Sequence, residues 1–241
     1  MTVVASALPT VKLEKKAPSK ANVLLIAVFQ GEEGLEIPGT ELLGNSELKS
    51  TLEALTAVGA KGKTGEITRI PAPKGSKAQS VVAVGLGNPE KLADETLRRA
   101  AGSAARALRG EKNVATTISD FGLTAAVEGL ILGGYSTRGI RSTEAEEDEA
   151  PAKITVVSRD GKDEFEAAVI GAEAVAFART LTNTPSNELY PESYAKYLKE
   201  QATAAGLDVE ILDERDLKKQ GFGGILSVGQ GSARPPRLVC L

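Results

Sequence analysis

The chain has 241 residues, enough for one large or two modest domains, with 41% hydrophobic and 25% charged residues, which is ordinary globular composition. Its net charge of −3 gives no global attraction to nucleic acid or to an anionic membrane. It contains no His, which excludes Ser-His-Asp and Cys-His catalysis and every imidazole zinc site, and its single Cys excludes an internal disulfide.

Aromatic residues are few and Trp is absent, so the core must be built from Ala, Val, Leu and Ile. No apolar run approaches the ~20 residues needed to span a bilayer. The start, MTVVASALPTVKLEKKAPSK, lacks the continuous apolar stretch of a signal peptide. A cytoplasmic location without membrane contact is expected, and the lone Cys fits a reducing compartment.

In chain order, a short strand is expected around Val3–Leu8, followed by a Lys/Pro/Ser stretch. Val23–Phe29 is a continuous apolar run, the mark of a strand buried on both faces. GEEGLEIPGT then reads as loop. Ser46 is placed to cap a helix through about Val58, with Leu48, Leu52, Leu55 and Val58 at helical spacing, and Gly59–Gly65 breaks it. Glu66–Ile70 alternates as a strand and is ended by Pro71 and Pro73. Gln79–Val84 is a second buried strand that runs into the glycine turn GLGNPE.

Asp94 is expected to cap a helix through about Leu108, with Leu97, Ala101, Ala104, Ala105 and Leu108 on one face. Asn113–Ile118 reads as a strand. Leu123–Leu132 reads as a helix stopped by Gly133-Gly134. Arg141–Pro151 is a loop, Ile154–Val157 a strand, and Asp163 to about Leu181 a long Ala-rich helix. Beyond the stretch LTNTPSNELYPESYA, Pro191 opens a helix to about Ala205, closed by Gly206. Leu207–Leu212 is a strand, Asp213–Gln220 a short helix, and Gly221, Gly223 and Gly224 form a loop before a strand at Ile225–Val228. Arg237–Leu241 begins a last strand. The alternation predicts an α/β fold with a mixed sheet flanked by helices, and no fixed-period repeat is present.

Few motifs carry chemistry. VVAVGLGNPE before a helix has the layout of a phosphate-binding turn, but it lacks the third Gly of the dinucleotide fingerprint and any Gly-Lys-Ser/Thr. A structural strand–helix turn is the simpler reading. GLGNP also occurs in peptidyl-tRNA hydrolases, which rely on a catalytic His that is absent here. The acidic run Glu144–Glu149 reads as a solvated loop rather than a cation site. Asp120 and Asp163 lack the clustered spacing of metal ligands. Cys240 has nothing nearby to activate it. Lys61 and Lys63, and Arg98, Arg99, Arg106 and Arg109 on one helix, form two basic clusters without interleaved aromatics, which suits a solvated face better than a nucleic-acid surface. Gly221, Gly223, Gly224, Gly229 and Gly231 are dense enough to suggest close backbone packing beside a site or another subunit.

NTPSNELYPESYA resembles the hinge of the leucyl (cytosol) aminopeptidase family, usually written NTP-P-N-x-L-x-P: Asn183, Thr184, Pro185, Asn187, Leu189 and Pro191 match, and Ser186 departs from the commoner Pro. The run GLDVEILDERDLKKQGFGGILSVGQGSARPPRLVCL resembles the segment that follows it. VVAVGLG, the Ala/Arg-rich helix and VEGLILGGY resemble the family's N-terminal domain, particularly in actinobacterial members. The resemblance is good over roughly residues 80–241.

The resemblance implies a macro-domain-like N-terminal domain over 1–160, a connector helix and hinge over 161–184, and the beginning of an α/β aminopeptidase catalytic domain over 185–241. It implies a homohexameric hydrolase that releases N-terminal amino acids from peptides. Two divalent ions, manganese or zinc, are held there by Asp, Glu and Lys; they bind a bridging water and polarise the scissile carbonyl. The family's metal-binding motifs, of the kind GKGITFDSGG and NTDAEGRL, fall beyond the Pro-Arg-Leu strand, and this sequence stops at Leu241 ahead of both. No catalytic, cofactor-binding or metal residue is therefore assigned to any position, no metal is expected to bind this chain, and it is expected to be inactive alone. A frameshift, a split gene or a truncated gene prediction would each produce such an ending. The other reading is a non-catalytic macro-like module that binds a nucleotide or DNA, or serves assembly; the acidic balance weighs against DNA.

Overall fold

A computed structural model describes residues 6–137 and 153–241. The chain divides into two compact units, Ser6–Ala178 and Arg179–Leu241.

The first unit is built on a sheet whose central strand is β3, Val23–Gln30; the preceding strands are β1, Ser6–Ala7, and β2, Val11–Glu14. Every residue from Val23 to Phe29 is buried, as the unbroken apolar run requires. Odd-numbered β3 residues Val23, Leu25, Ala27 and Phe29 enter one core, and Leu24, Ile26 and Val28 enter another on the opposite face. After β3 come the two-residue strand β4, Leu35–Glu36, which pairs back onto β3, and helix α1, Asn45–Ala57. Strands β5, Ile67–Pro71, and β6, Ser80–Gly85, complete one side of the sheet.

The chain then crosses over. Helix α2, Asp94–Ala107, leads to β7, Val114–Thr116, which lies on the other side of β3. Helix α3, Leu123–Gly134, β8, Ser136–Thr137, and β9, Ile154–Val157, follow. The strand order is β2-β9-β7-β3-β6-β5; β5 alone among these six is antiparallel to its neighbour. Helix α4, Lys162–Asn183, contributes Phe165, Ala168 and Ala172 to the core shared with α2 and α3, while α1 covers the opposite face through Leu55. This is a mixed sheet between two helical layers. Pro71 sits at the end of edge strand β5, where a missing N–H costs no ladder bond.

The second unit carries helix α5, Pro191–Ala204, strand β10, Glu210–Leu212, helix α6, Glu214–Lys219, helix α7, Gly223–Gly229, and strand β11, Leu238–Cys240. β10 and β11 pair antiparallel, with Ile211 opposite Val239. Asp213 caps α6 by accepting from the N–H groups of Arg215 and Asp216, and Gly206 turns the chain after α5 at φ +79.

Several elements differ from expectation for identifiable reasons. Val11–Glu14 is a strand, although its flanks are polar, because β9 supplies a parallel partner. Of the strand expected at Val3–Leu8, Ser6–Ala7 pairs with β8; residues 3–5 lie outside the described residues, as do Arg141–Pro151 and the acidic run Glu144–Glu149. The α1 cap is Gly44, not Ser46: the Glu47 carboxylate accepts the Gly44 N–H at 2.8 Å. Val58 lies past the helix and is 62% exposed, whereas Thr51 takes the buried position. Asp94 is the first helical residue rather than the cap, where its charge favours the positive helix end.

Gly133 and Gly134 do not stop α3; they are its last residues and give room for close neighbours. A Cβ on Gly133 would lie 2.3 Å from Gly102 Cα, and one on Gly134 would lie 2.6 Å from Pro9 Cγ. The expected strand Ile225–Val228 is part of α7. A four-residue apolar run does not by itself distinguish strand from helix, and here the Leu226 N–H bonds to the Phe222 carbonyl.

Candidate functional site

The glycine turn after β6 is committed to packing. Gly85 N–H donates to Glu66 O, Leu86 N–H to Val28 O and Gly87 N–H to Gly62 O, all at 2.8–2.9 Å. A Cβ on Gly85 would lie 2.0 Å from Lys63 O, and one on Gly62, at φ +69, would lie 2.6 Å from the Phe29 carbonyl. The glycines therefore let the Gly62–Lys63 loop lie against the ends of β3 and β6. The amides that would cradle a phosphate are already bonded within the chain, and the Asn88 side chain caps Glu90 N–H at 2.8 Å. The Lys61–Lys63 loop is also occupied from within: the Glu66 carboxylate accepts from the N–H groups of Lys61 and Lys63 at 3.0 Å.

The basic residues of α2 are largely paired. Arg98 bonds Glu128 at 2.7 Å and Glu95 at 2.8 Å, and Arg99 bonds Glu95 at 2.8 Å. The Glu128 and Glu95 carboxylates hold the Arg98 pKa above its ordinary value, and Arg99 followed by Arg98 hold that of Glu95 below its own. Arg106 donates to Ser103 Oγ. The Glu95 and Glu128 carboxylates offset part of the positive charge that phosphates would meet, although the Arg99 side chain stays 77% exposed.

The cavity that sequence reading did not find lies at the carboxyl ends of the parallel strands. The chain leaves β3 to build β6 and β5 on one side and returns to place β7 on the other. The gap beyond the ends of β3 and β7 is thus a topological switch point, where open α/β sheets place ligands. A cavity of about 370 Å³ there is lined by Thr40, Glu41, Asp120, Ser158, Arg159 and neighbouring residues. Thr40 Oγ1 and Thr117 Oγ1 are 2.7 Å apart, and Arg159 approaches Glu41 at 3.6 Å. The Phe29 ring, near the end of β3, and the Phe121 ring, next to Asp120 in sequence, meet edge to face at 5.2 Å.

Burial, and then the charge of Glu41, push the Asp120 pKa up. A carboxyl with a raised folded pKa favours the folded state below the unfolded value, and that advantage is lost as pH rises through the folded value. Asp120→Asn is therefore expected to stabilise the protein at neutral pH, by about 0.5 kcal/mol or less because the group is well exposed. The gain should vanish at pH below the ordinary carboxylate range. Urea titrations at both pH values check it; an unchanged or lowered midpoint at neutral pH contradicts it.

The remaining candidates are dispersed. Cys240 is exposed in β11 opposite Glu210, and Asp163 is exposed in the first turn of α4. Among the described residues no three Cys, Asp or Glu side chains come together to hold a metal ion. Of the dense glycines, Gly229 alone is closely approached, a Cβ there lying 2.9 Å from Pro236; Gly221, Gly223, Gly224 and Gly231 meet nothing within 4 Å. No described helix is long and apolar enough to cross a membrane.

The hinge is tightly organised within the second unit. Thr184 Oγ1 donates to Thr180 O at 2.8 Å, and the N–H groups of Glu188 and Leu189 both donate to Pro185 O. Ser193 Oγ accepts from Tyr190 N–H and donates to Glu188 O, which fixes the entry to α5 with Pro191 in its first turn. The Arg234 guanidinium lies over the Tyr190 ring at 4.0 Å and donates to the Ser186 carbonyl at 2.6 Å. Position 186 thus serves through its backbone oxygen, which Ser supplies as well as Pro.

A helix-flanked mixed sheet, a long helix, an NTP hinge and a glycine-rich segment clamped to that hinge through Arg234 define a two-unit α/β chain. Comparison with known sequences makes this specific. Residues 25–144 match the model of the cytosol aminopeptidase family N-terminal domain, and residues 176–241 match that of the family's catalytic domain. The chain is 48% identical to a probable cytosol aminopeptidase of Corynebacterium diphtheriae over 95% of its own length and 47% of the relative's. It is 41% identical to one of Streptomyces coelicolor over 92% and 48%. The chain belongs to the cytosol aminopeptidase family, and it spans about half the length of the curated relatives it matches.

Two solved structures share the fold. The bottromycin maturation enzyme BotP superposes with a TM-score of 0.69 at 24% identity, covering 91% of this chain and 45% of that one. A mutant of tomato leucine aminopeptidase superposes with a TM-score of 0.70 at 20% identity, covering 96% and 50%. BotP has also been solved in complex with manganese.

Proposed function

We propose that this chain is the N-terminal portion of a dimetal leucyl aminopeptidase that releases N-terminal amino acids from peptides in the cytoplasm. Residues 1–160 form the accessory domain, 161–184 the connector and hinge, and 185–241 the opening of the catalytic domain. The observation that carries this reading is the presence, in one chain and in family order, of both domain matches. In the whole enzyme, proposed to be a homohexamer, two manganese or zinc ions would supply the water-activating chemistry from sequence outside these 241 residues. What these residues contribute is the fixed geometry of the hinge: Arg234, Tyr190 and Ser193 hold the first catalytic-domain helix at a set angle to the Pro-Arg strand.

The purified 241-residue chain is expected to show no hydrolysis of leucine p-nitroanilide above background with added manganese or zinc. Joined in frame to the C-terminal half of the Corynebacterium diphtheriae relative, it should give metal-dependent turnover. Robust turnover by the chain alone, or none from a folded chimera, contradicts the proposal.

The cavity at the switch point favours a second reading, a macro-like module that binds a nucleotide. Titration with ADP-ribose, and with duplex DNA at low and moderate salt, tests it. Absence of saturable binding removes it; given the paired arginines of α2, DNA is the weaker ligand.

A further inference from the structure

The outermost strand of the first sheet offers an unpaired edge with an unusual symmetry. β2 pairs with β9 on one side and, among the described residues, with no strand on the other. The hydrogen-bond phase is fixed: Ile154 N–H donates to Thr10 O at 2.8 Å, and Ser158 N–H donates to Glu14 O at 3.0 Å. In a parallel ladder alternate residues face the partner, so residues 10, 12 and 14 face β9. The N–H and C=O groups of Val11 and Leu13 therefore point to the open side.

The side chains complete the pattern. Val11 and Leu13 are half-buried against the core, whereas Lys12 and Glu14 are exposed and form no ion pair among the described residues. A groove of about 610 Å³ runs along this edge, lined by Val11, Leu13, Lys15, Lys162 and Phe165 among others. Edge strands are commonly protected by a Lys that discourages pairing. Here that Lys is answered by a Glu two residues on.

We propose that the β2 edge is a self-pairing surface that docks antiparallel onto the β2 edge of a second copy of this chain, across a two-fold axis through Leu13. In that register Leu13 faces its own symmetry mate as a hydrogen-bonded pair, the phase the open N–H and C=O groups require. Lys12 then lies opposite Glu14 of the other copy as a non-hydrogen-bonded pair, where side chains approach most closely, and the two-fold repeats that ion pair. A one-residue slip would remove the two-fold axis from Leu13 and place Lys12 opposite Leu13 in one direction or opposite Lys15 in the other, so neither slip keeps the ion pair. The occupant is therefore a copy of the same strand rather than an arbitrary peptide.

Sedimentation or light scattering of the 241-residue chain over a concentration series tests this. The mass is expected to rise from monomer towards dimer. Lys12→Glu alone, or Glu14→Lys alone, sets like charges opposite each other twice and should raise the dissociation constant about tenfold or more. The double variant Lys12→Glu/Glu14→Lys should return it to the wild-type value. An equimolar mixture of the two single variants should associate, because each supplies what the other lacks. Circular dichroism confirms that these surface variants fold. A wild-type chain that stays monomeric at its highest soluble concentration overturns the proposal, as does an assembly whose mass neither reversal lowers, or a double variant and mixture that fail to restore association.

Discussion

Gly133→Ala is expected to destabilise residues 6–178 by about 2–3 kcal/mol, the cost of forcing extra volume into a closed contact. Helices α2 and α3 touch backbone to backbone. A Cβ on Gly133 would lie 2.3 Å from Gly102 Cα and 2.4 Å from its carbonyl oxygen, and one on Gly129 would lie 2.3 Å from Arg98 O. These neighbours are main-chain atoms inside an all-buried seam of Ala101, Ala104, Ala105, Ala126 and Leu130, so they cannot swing aside as a surface side chain would. The helix propensity of Ala recovers about 1 kcal/mol and does not offset the clash. For a unit of this size the loss lowers Tm by roughly 5–10 °C.

The opposite sign is expected one helix away. Gly171 lies in α4 and is exposed, and a Cβ added there would meet nothing within 4 Å. Gly171→Ala should therefore raise stability by about 0.5–1 kcal/mol through propensity alone. Thermal and urea denaturation of both variants beside the wild type gives the comparison. Equal effects at the two positions would mean that the α2–α3 contact does not govern stability.

Amide hydrogen exchange should separate the two units by orders of magnitude in protection. The apolar residues fully buried in Arg179–Leu241 are Ala195, Ala202, Leu212 and Leu217, two of them only alanines. Helix α7 buries no residue, Val228 is 89% exposed and Leu241 69% exposed. Its sheet is the two-stranded pair β10–β11, an arrangement of marginal stability in water without further strands. By contrast β3, β6 and β7 lie between two helical layers, with Leu25, Val82 and Ala115 essentially inaccessible. Local opening free energy follows buried apolar contact, so amides of residues 195–240 should exchange through frequent partial opening while those of residues 23–29 and 81–84 await global unfolding. Mass spectrometry on proteolytic fragments reads this directly, and uniform protection on both sides of Arg179 would contradict it.

Buried strands and amphipathic helices were legible in the sequence because one-dimensional patterns report burial. VLLIAVF announces a two-sided strand, and the spacing of Leu97, Ala101, Ala104 and Leu108 announces the buried face of α2. Features set by distant partners were not legible. VKLE becomes β2 only because Ile154–Val157 lies beside it, and ILSV sits in a helix whose Leu226 N–H bonds the Phe222 carbonyl. The purpose of the GLG turn depends on the Gly62–Lys63 loop reaching it, and Asp120 gains its cavity only once β7 is placed across β3 from β6. The hinge, in contrast, carried its family in its own residues, and the bonds of Thr184, Pro185 and Ser193 are local enough for sequence to specify them.

Cys240 offers a consequence of another kind. It is the sole thiol in 241 residues, it is exposed, and it sits in β11 rather than in the stable sheet. A maleimide fluorophore added to the natural sequence would attach at one position, inside the unit expected to open first. Its emission anisotropy would follow the loosening of that unit while the amides of β3 and β6 stayed protected, so the molecule already carries a reporter for its own less stable unit.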